Sequence, residues 1–185
     1  MRVKTPWILA HATSDVRVDV PASALDLPGW LFDLSDAEYQ RCSKCHIAAG
    51  ASRSADGRRT SVTVESVGGH LAVQHYVEEI SRTDHLRLVS ERTDAWLFHL
   101  LHVHPKVTWE MRLLPTSPQS CIFRCAVSVE HPSVLLKAAS LLTLFPFFVR
   151  RHDHDEARRF AESLAERRAP PTSRTLLAGL DDTGA

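Results

Sequence analysis

The sequence predicts an α+β domain of seven antiparallel strands, with two short helices after the first strand and a long helical region at the C-terminal end. Three observations carry this prediction. Residues 46–129 fall into short runs rich in Val, Thr, Leu and Ile, separated by turn chemistry such as Asp56-Gly57 and Gly68-Gly69, which is the texture of an antiparallel meander. Ahead of the meander, Ser35 and Glu38 stand three residues apart as a helix-start signature. Behind it, apolar residues crowd together after Pro132 and Ser133 at a density that suits helices.

Taken in order, Val16, Val18 and Val20 alternate with Asp15, Arg17 and Asp19, a strand period that Pro21 closes. Residues 25–34 are apolar but broken by Pro28 and Gly29, which favours one or two short helical turns. The Ser35/Glu38 capping box then predicts a helix from 36 to about 43. Further strands are expected at 46–53, 59–67, 70–80, about 85–93, 106–114 and 122–129, with Pro115, Ser117 and Pro118 in the last turn. In the helical region, Phe160, Ala161, Leu164 and Ala165 share one face. Pro146 lacks the donor a helix interior needs, so a kink or the junction of two helices is expected there. Residues 1–14 read as an N-terminal extension, 15–168 as the domain, and 169–185, with Pro170-Pro171, as a mobile tail.

The 185 residues suit one domain with a sizeable core. Lys plus Arg and Asp plus Glu both number 22, so no basic excess is available for nucleic acid. A charged fraction of 24% and an apolar fraction of 44% exclude a disordered chain. The apolar stretch 134–149 is shorter than the ~20 residues of a membrane span and contains Lys137, Ser140 and Pro146, so no integral membrane segment is expected. The apolar run at 7–10 is too short for a signal-peptide core, which points to a cytoplasmic protein. Four cysteines fit free thiols in a reducing compartment, and eleven histidines make solubility sensitive to pH.

The order of elements resembles the helix-grip fold of the START and birch-pollen-allergen superfamily, SRPBCC, over about residues 14–168. The residues that carry the likeness are Val18-Asp19-Val20-Pro21-Ala22-Ser23, then Trp30 and Leu31, and the hairpin Asp56-Gly57-Arg58-Arg59. Glu38-Tyr39-Gln40-Arg41-Cys42 and the run 68–79 look like an uncharacterised actinobacterial-type branch related to polyketide cyclase/dehydrase and lipid-transport proteins. The resemblance implies a curved sheet wrapped around the C-terminal helix and a cavity between them for an apolar ligand. The chain departs from the pattern in an apolar insertion at 94–104, which is expected to close the cavity mouth or to form a homodimer interface.

Several groups have a claim to chemistry. Cys42 and Cys45 have the spacing of a metal knuckle, but Cys121 and Cys125 lie at i and i+4 of a strand, some 13 Å apart at a rise of ~3.3 Å per residue. They read as small apolar groups, and no metal or cofactor is expected. His152, Asp153, His154 and Asp155 sit among arginines and read as a solvated helix segment. His99, His102 and His104 have no acid fixed near them by the sequence and read as lining or interface residues. On strand 70–80 alternation puts Leu71, Val73, His75 and Val77 on one side and His70, Ala72, Gln74, Tyr76 and Glu78 on the other. The more apolar side is expected to face the cavity. His75 is then either a general acid/base or a hydrogen-bonded core residue. Trp109 and Met111 alternate with Glu110 and Arg112, so the Trp side is the inner one, and the facing of Glu65 stays open. Ligand contacts are expected from Val73, His75, Val77, Trp109, Met111, Trp96, Phe98 and Tyr39. No Ser-His-Asp order, phosphate loop or dinucleotide fingerprint occurs.

The function expected is binding of a polyketide-like or lipid-like small molecule, as a carrier or a sequestering, self-resistance protein. The alternative is a cofactor-independent cyclase, aromatase or dehydratase using His75. A third is a protein-interaction module that uses 96–103. Two titratable groups converging on one point of the cavity would favour the enzyme. A His75 directed into solvent on the convex face of the sheet, or a space below ~300 Å³, would make both cavity readings fail in favour of the interaction module.

Overall fold

A computed structural model describes residues 6–167. The strands are β1 (Trp7–Val18), β2 (His46–Arg53), β3 (Arg59–Val67), β4 (His70–Arg82), β5 (His85–Ser90), β6 (Asp94–Leu97), β7 (Leu101–Val103), β8 (Lys106–Ser117) and β9 (Ser120–His131). The helices are α1 (Leu27–Phe32), α2 (Asp36–Cys42), α3 (Val134–Leu142) and α4 (Phe145–Glu166), with a 3-10 turn at Ala22–Ala24. The sheet runs β1-β9-β8-β5-β4-β3-β2, every neighbouring pair antiparallel. Helix α4 packs chiefly on β1 yet also touches β9 and β3. A helix that meets strands so far apart in the order is one around which the sheet curls.

Local chemistry accounts for the helices. Asp26 caps α1 by accepting the Gly29 N–H at 3.2 Å, with Pro28 in the first turn where no donor is needed. The capping box forms as expected: Glu38 N–H donates to Ser35 Oγ at 3.3 Å, and Ser35 N–H donates to Glu38 Oε2 at 2.8 Å. At Pro146 the second of the two expected arrangements is found. Helix α3 stops, Leu144 turns left-handed (φ 56), and α4 begins with the proline in its first turn. Gly68 closes the β3–β4 hairpin at φ 59, and a Cβ there would lie 2.9 Å from the Phe148 ring. The position therefore needs glycine for its conformation and for its closeness to α4. The core fills the concave side: Leu86, Leu88, Met111 and Phe123 from the sheet meet Trp30, Phe160 and Leu164. The Trp30 ring meets that of Phe160 edge-on at 5.2 Å, and its N–H donates to Ser163 at 3.1 Å.

The strand count is nine rather than seven, and the first strand is longer than expected. The insertion 94–104 folds as the hairpin β6–β7, which pairs to β4 through Leu71, Ala72 and Val73. Its turn places Phe98 and His99 in the left-handed region (φ 49 and 60) with none of the usual turn residues. The first strand begins at Trp7, well inside the stretch read as an extension, because β9 continues to His131 and pairs with it throughout. Between Ile8 and Ala10 the register slips, a bulge. There Lys137 Nζ donates to the Ile8 carbonyl at 2.6 Å and Ser140 Oγ to that of Leu9 at 3.3 Å, tying α3 to β1. Among the described residues no helix is long and apolar enough to cross a membrane. The tail at 169–185 lies outside the described residues.

Candidate functional site

The concave face of the sheet, α3, α4 and the β6–β7 hairpin enclose a cavity of about 390 Å³. Such a volume falls within the ~300–1,000 Å³ of small-molecule pockets. Much of the wall is apolar, with Val107, Trp109 and Val129 from the sheet facing Leu136 and Val149 of the helices. One end differs in kind: Glu65, Gln74, His152, Asp153 and Glu156 all line it.

These polar groups come from three elements. Glu65 and Gln74 lie on the paired strands β3 and β4. Gln74 accepts the Thr63 hydroxyl at 2.6 Å and donates its amide to Glu65 Oε2 at 3.3 Å. Tyr39, buried behind them on α2, donates its hydroxyl to Glu65 Oε1. From α4, His152 and Glu156 stand one turn apart with Nε2 3.0 Å from Glu156 Oε2, and the same nitrogen is 3.6 Å from Glu65 Oε2. Its N–H lies along neither line, so these are charge contacts rather than hydrogen bonds. His46, at the start of β2, has a fully buried side chain (0% exposed). Its Nδ1 lies 2.7 Å from the Tyr39 carbonyl, an acceptor, so Nδ1 carries a proton. Its ring stacks on that of Tyr39 at 3.8 Å, and its Nε2 is 3.8 Å from Glu156 Oε2. Asp153 turns aside to accept the Ser14 hydroxyl at 2.6 Å.

Burial and mutual charge set the protonation of this cluster. Burial works against a charge on His152. The charge of Glu156, with contacts to Cys45, Glu156 and Glu65, outweighs it and holds the imidazole well above its ordinary range. His46 is raised in the same way, burial opposing and Glu156 prevailing. Burial alone would raise Glu156 and Glu65, but His152 reverses the direction and both carboxyls lie below the usual carboxylate range. For Asp153 burial wins, pushing it up to about 6 against the Ser14 hydrogen bond. Tyr39 and Tyr76 are pushed up by burial and then by the charge of Glu65.

Of the residues singled out from sequence, Trp109 and Phe98 line the cavity. The Trp109 N–H donates to Cys125 Sγ at 3.2 Å. Met111 is fully buried in the core, outside the cavity lining. Tyr39 lies outside the cavity lining and supports the site from behind, through Glu65 and His46. On the hairpin, Ala95 and Leu97 line the cavity while Trp96 faces away and stacks on His102 at 4.5 Å. Glu65 faces inward.

The expectation for β4 has to be reversed. Val73, His75 and Val77 lie on the face away from the cavity, and His70, Ala72, Gln74 and Tyr76 line it. His75 is 50% exposed, with Nε2 3.3 Å from Asp94 Oδ2. Counting apolar residues chose the wrong face because Gln74 and Tyr76 are buried among polar and aromatic partners, while valines on an outer face are ordinary. His75 therefore cannot serve as an acid/base in the cavity, and both cavity readings fail in the form that rested on it; a cavity of about 390 Å³ is nevertheless present, lined by other residues, so a ligand-binding reading has to be rebuilt on those. His152 and Asp153 are corrected as well: they face inward, and of that segment only His154 and Asp155 are solvated. His102 and His104 do have an acid, since Asp94 Oδ1 lies 3.1 Å from His102 Nε2 and 3.2 Å from His104 Nδ1. Cys42, Cys121 and Cys125 are buried free thiols.

No protein-family profile matches the chain, and no curated protein matches it in sequence. Its structure is similar to that of a START superfamily protein from Mycobacterium smegmatis, with 16% identity and a TM-score of 0.50 over 85% of this chain and 95% of that one. It is similar to the Zhui aromatase/cyclase from Streptomyces sp. R1128, with 14% identity and a TM-score of 0.58 over 85% of this chain and 93% of that one. A protein from Thermus thermophilus gives 14% and 0.57 over 85% and 95% of the two chains. Likeness at such identities shows the fold alone: the chain has a START-like helix-grip fold. Fold alone assigns no ligand or reaction.

Proposed function

We propose that the protein binds a hydrophobic small molecule, polyketide-like or lipid-like, with its apolar body against Trp109 and its polar end toward Glu65, His152 and Glu156. The observation that carries this reading is a cavity of about 390 Å³ whose wall is mostly apolar and whose carboxylates gather with His152 on one part of it. A ligand held there is oriented by a few polar groups in an otherwise apolar site. Carrier or sequestering protein is the primary role. The charged end also supports a second reading, a cyclase- or dehydratase-type enzyme, because several titratable groups converge on one part of the cavity. In that reading Glu65, His152 and Glu156 replace His75 as the groups that contact the reacting atoms. The interaction module is less favoured, since it requires the cavity to be filled by side chains. A cytoplasmic setting and a homodimer through the hairpin belong to the proposal. The dimer draws support from Leu100, 89% exposed beside the half-exposed Phe98 and Leu101.

Native mass spectrometry of the purified protein tests the reading, reporting retained small-molecule mass and subunit count together. A fluorescent hydrophobic probe provides the complementary titration. Trp109→Ala is expected to change probe affinity strongly, because an aromatic wall contributes ~150–250 Å² of contact. Absence of a retained ligand together with unchanged probe binding in Trp109→Ala would overturn the proposal. Turnover of a trial substrate that falls about 10²–10⁴-fold in Glu65→Gln with binding intact would favour the enzyme.

A further inference from the structure

We propose that His46, His152 and Glu156 form a site for one divalent transition-metal ion at the charged end of the cavity. The donor atoms, His46 Nε2, His152 Nε2 and a Glu156 carboxylate oxygen, lie within 4.8 Å of one another. The separations from Glu156 Oε2, 3.0 Å to His152 Nε2 and 3.8 Å to His46 Nε2, bracket the edge of ~3.3 Å that a tetrahedron with ligands at ~2.0–2.1 Å would have. Glu65 Oε2, 3.6 Å from His152 Nε2, is placed to be a fourth ligand or to hold a metal-bound water.

The unpaired state of the two ring nitrogens is the second, independent observation. His46 Nε2 and His152 Nε2 are both buried with no aligned hydrogen-bond partner, although buried polar atoms are nearly always paired. On each ring the other nitrogen is engaged. His46 Nδ1 bonds the Tyr39 carbonyl at 2.7 Å, and His152 Nδ1 lies 3.3 Å from Ser43 Oγ. A backbone carbonyl on Nδ1 fixes the tautomer that leaves Nε2 as a lone pair, the arrangement that orients imidazole ligands toward metals. Glu65 is steadied comparably by the Tyr39 hydroxyl and the Gln74 amide. Charge balance agrees. A dication offsets the two carboxylates while both imidazoles stay neutral, whereas without it both rings must take a proton to neutralise the pair.

The donors also limit the ion. Two imidazoles with one or two carboxylates suit zinc, iron, cobalt, nickel or manganese, and not calcium or magnesium, which prefer oxygen throughout. Because His152 and Glu156 line the cavity, an open coordination position would face the space where the ligand's polar end is proposed to lie. Metal binding by the protein alone does not depend on that ligand, so the two proposals can fail separately.

The test loads chelator-treated protein with Co²⁺ and follows its visible d–d absorption, then competes with Zn²⁺. One equivalent should bind and be displaced by Zn²⁺. Glu156→Gln and His46→Gln should each weaken binding by more than the ~10–100-fold typical of losing an outer hydrogen-bonding partner. Asp94→Asn, which disables the outer imidazole cluster, should leave it unchanged. X-ray absorption of the Zn²⁺-loaded wild type, which needs no variant to fold, should report nitrogen and oxygen ligands only. No stoichiometric binding would overturn the proposal in favour of a doubly protonated histidine pair. Loss of binding in Asp94→Asn, or sulfur in the first coordination sphere, would overturn it in favour of another site.

Discussion

Two clusters of histidines and carboxylates occupy opposite faces of one sheet. The inner one joins His46 and His152 to Glu65 and Glu156, and the outer one gathers His75, His102 and His104 around Asp94. Composition is nearly the same, and distances are similar. Environment separates them. The inner side chains are about nine-tenths buried or more, so each charge is costly unless its neighbours answer it, and each partner depends on the others. The outer side chains are a third to a half exposed, and water and salt screen what they do. Like residues at like distances thus make a tightly coupled site in one case and a loose surface group in the other.

The largest expected effect comes from breaking the inner group. In metal-free protein, His152→Ala leaves Glu65 and Glu156 with His46 as their remaining countercharge, and chemical denaturation should register a loss of ~3–5 kcal/mol, the usual cost of removing one partner from a buried ion pair. Replacing His152, Glu65 and Glu156 together by leucine should recover most of that loss. Failure to recover it would mean that packing, not charge, holds this region.

A smaller effect is expected at the edge of the inner cluster. Ser14→Ala removes the hydroxyl donated to Asp153 at 2.6 Å, and thermal unfolding should show a loss of ~1–3 kcal/mol, the range for an acceptor left buried and unpaired. At the outer cluster the effect is one of acid dependence. Partial desolvation tends to raise Asp94, but hydrogen bonds from His75 and His102 outweigh it and hold its pKa below the ordinary 3.8. An acid depressed in the folded state contributes stability above 3.8 that is lost as pH falls through its folded value. Asp94→Asn should therefore flatten the stability profile below about pH 4 and leave it unaltered near neutrality. Smallest of all, His75→Ala should stay within ~0.5 kcal/mol of the wild type and leave hydrophobic-probe affinity unchanged. A large loss of probe binding there would return His75 to the cavity.

How much of this was legible in the sequence differs between fold and site. Short-range signals were reliable: the Ser35/Glu38 box, the Gly68-Gly69 turn and the break at Pro146 each depend on residues a few positions apart. The hairpin at 94–104 was hidden because left-handed Phe98 and His99 replace the usual turn residues. The site was missed for a different reason. Taken locally, His152 to Asp155 has the look of a solvated charged segment, but the helical period back from Leu164 and Phe160 through Glu156 and Asp153 to Val149 marks the buried face of α4. For β4 no local signal would have sufficed, because which face of a strand is inner depends on what packs across from it.

The bulge at the start of β1 bears on how the chain can be cut. Alternation in the sequence begins at Asp15, and a shortened protein starting there would look like a complete domain on paper. It would lack the Ile8 and Leu9 carbonyls that receive Lys137 and Ser140, and Ser14, which holds Asp153. Most of an edge strand would go with them, baring β9 from Cys125 to His131. Such a truncation removes the anchor of the cavity's α3 wall and exposes a new sheet edge in a single step. Its expected behaviour is aggregation with loss of probe binding, from deleting residues that contribute no side chain to the charged end except through Ser14.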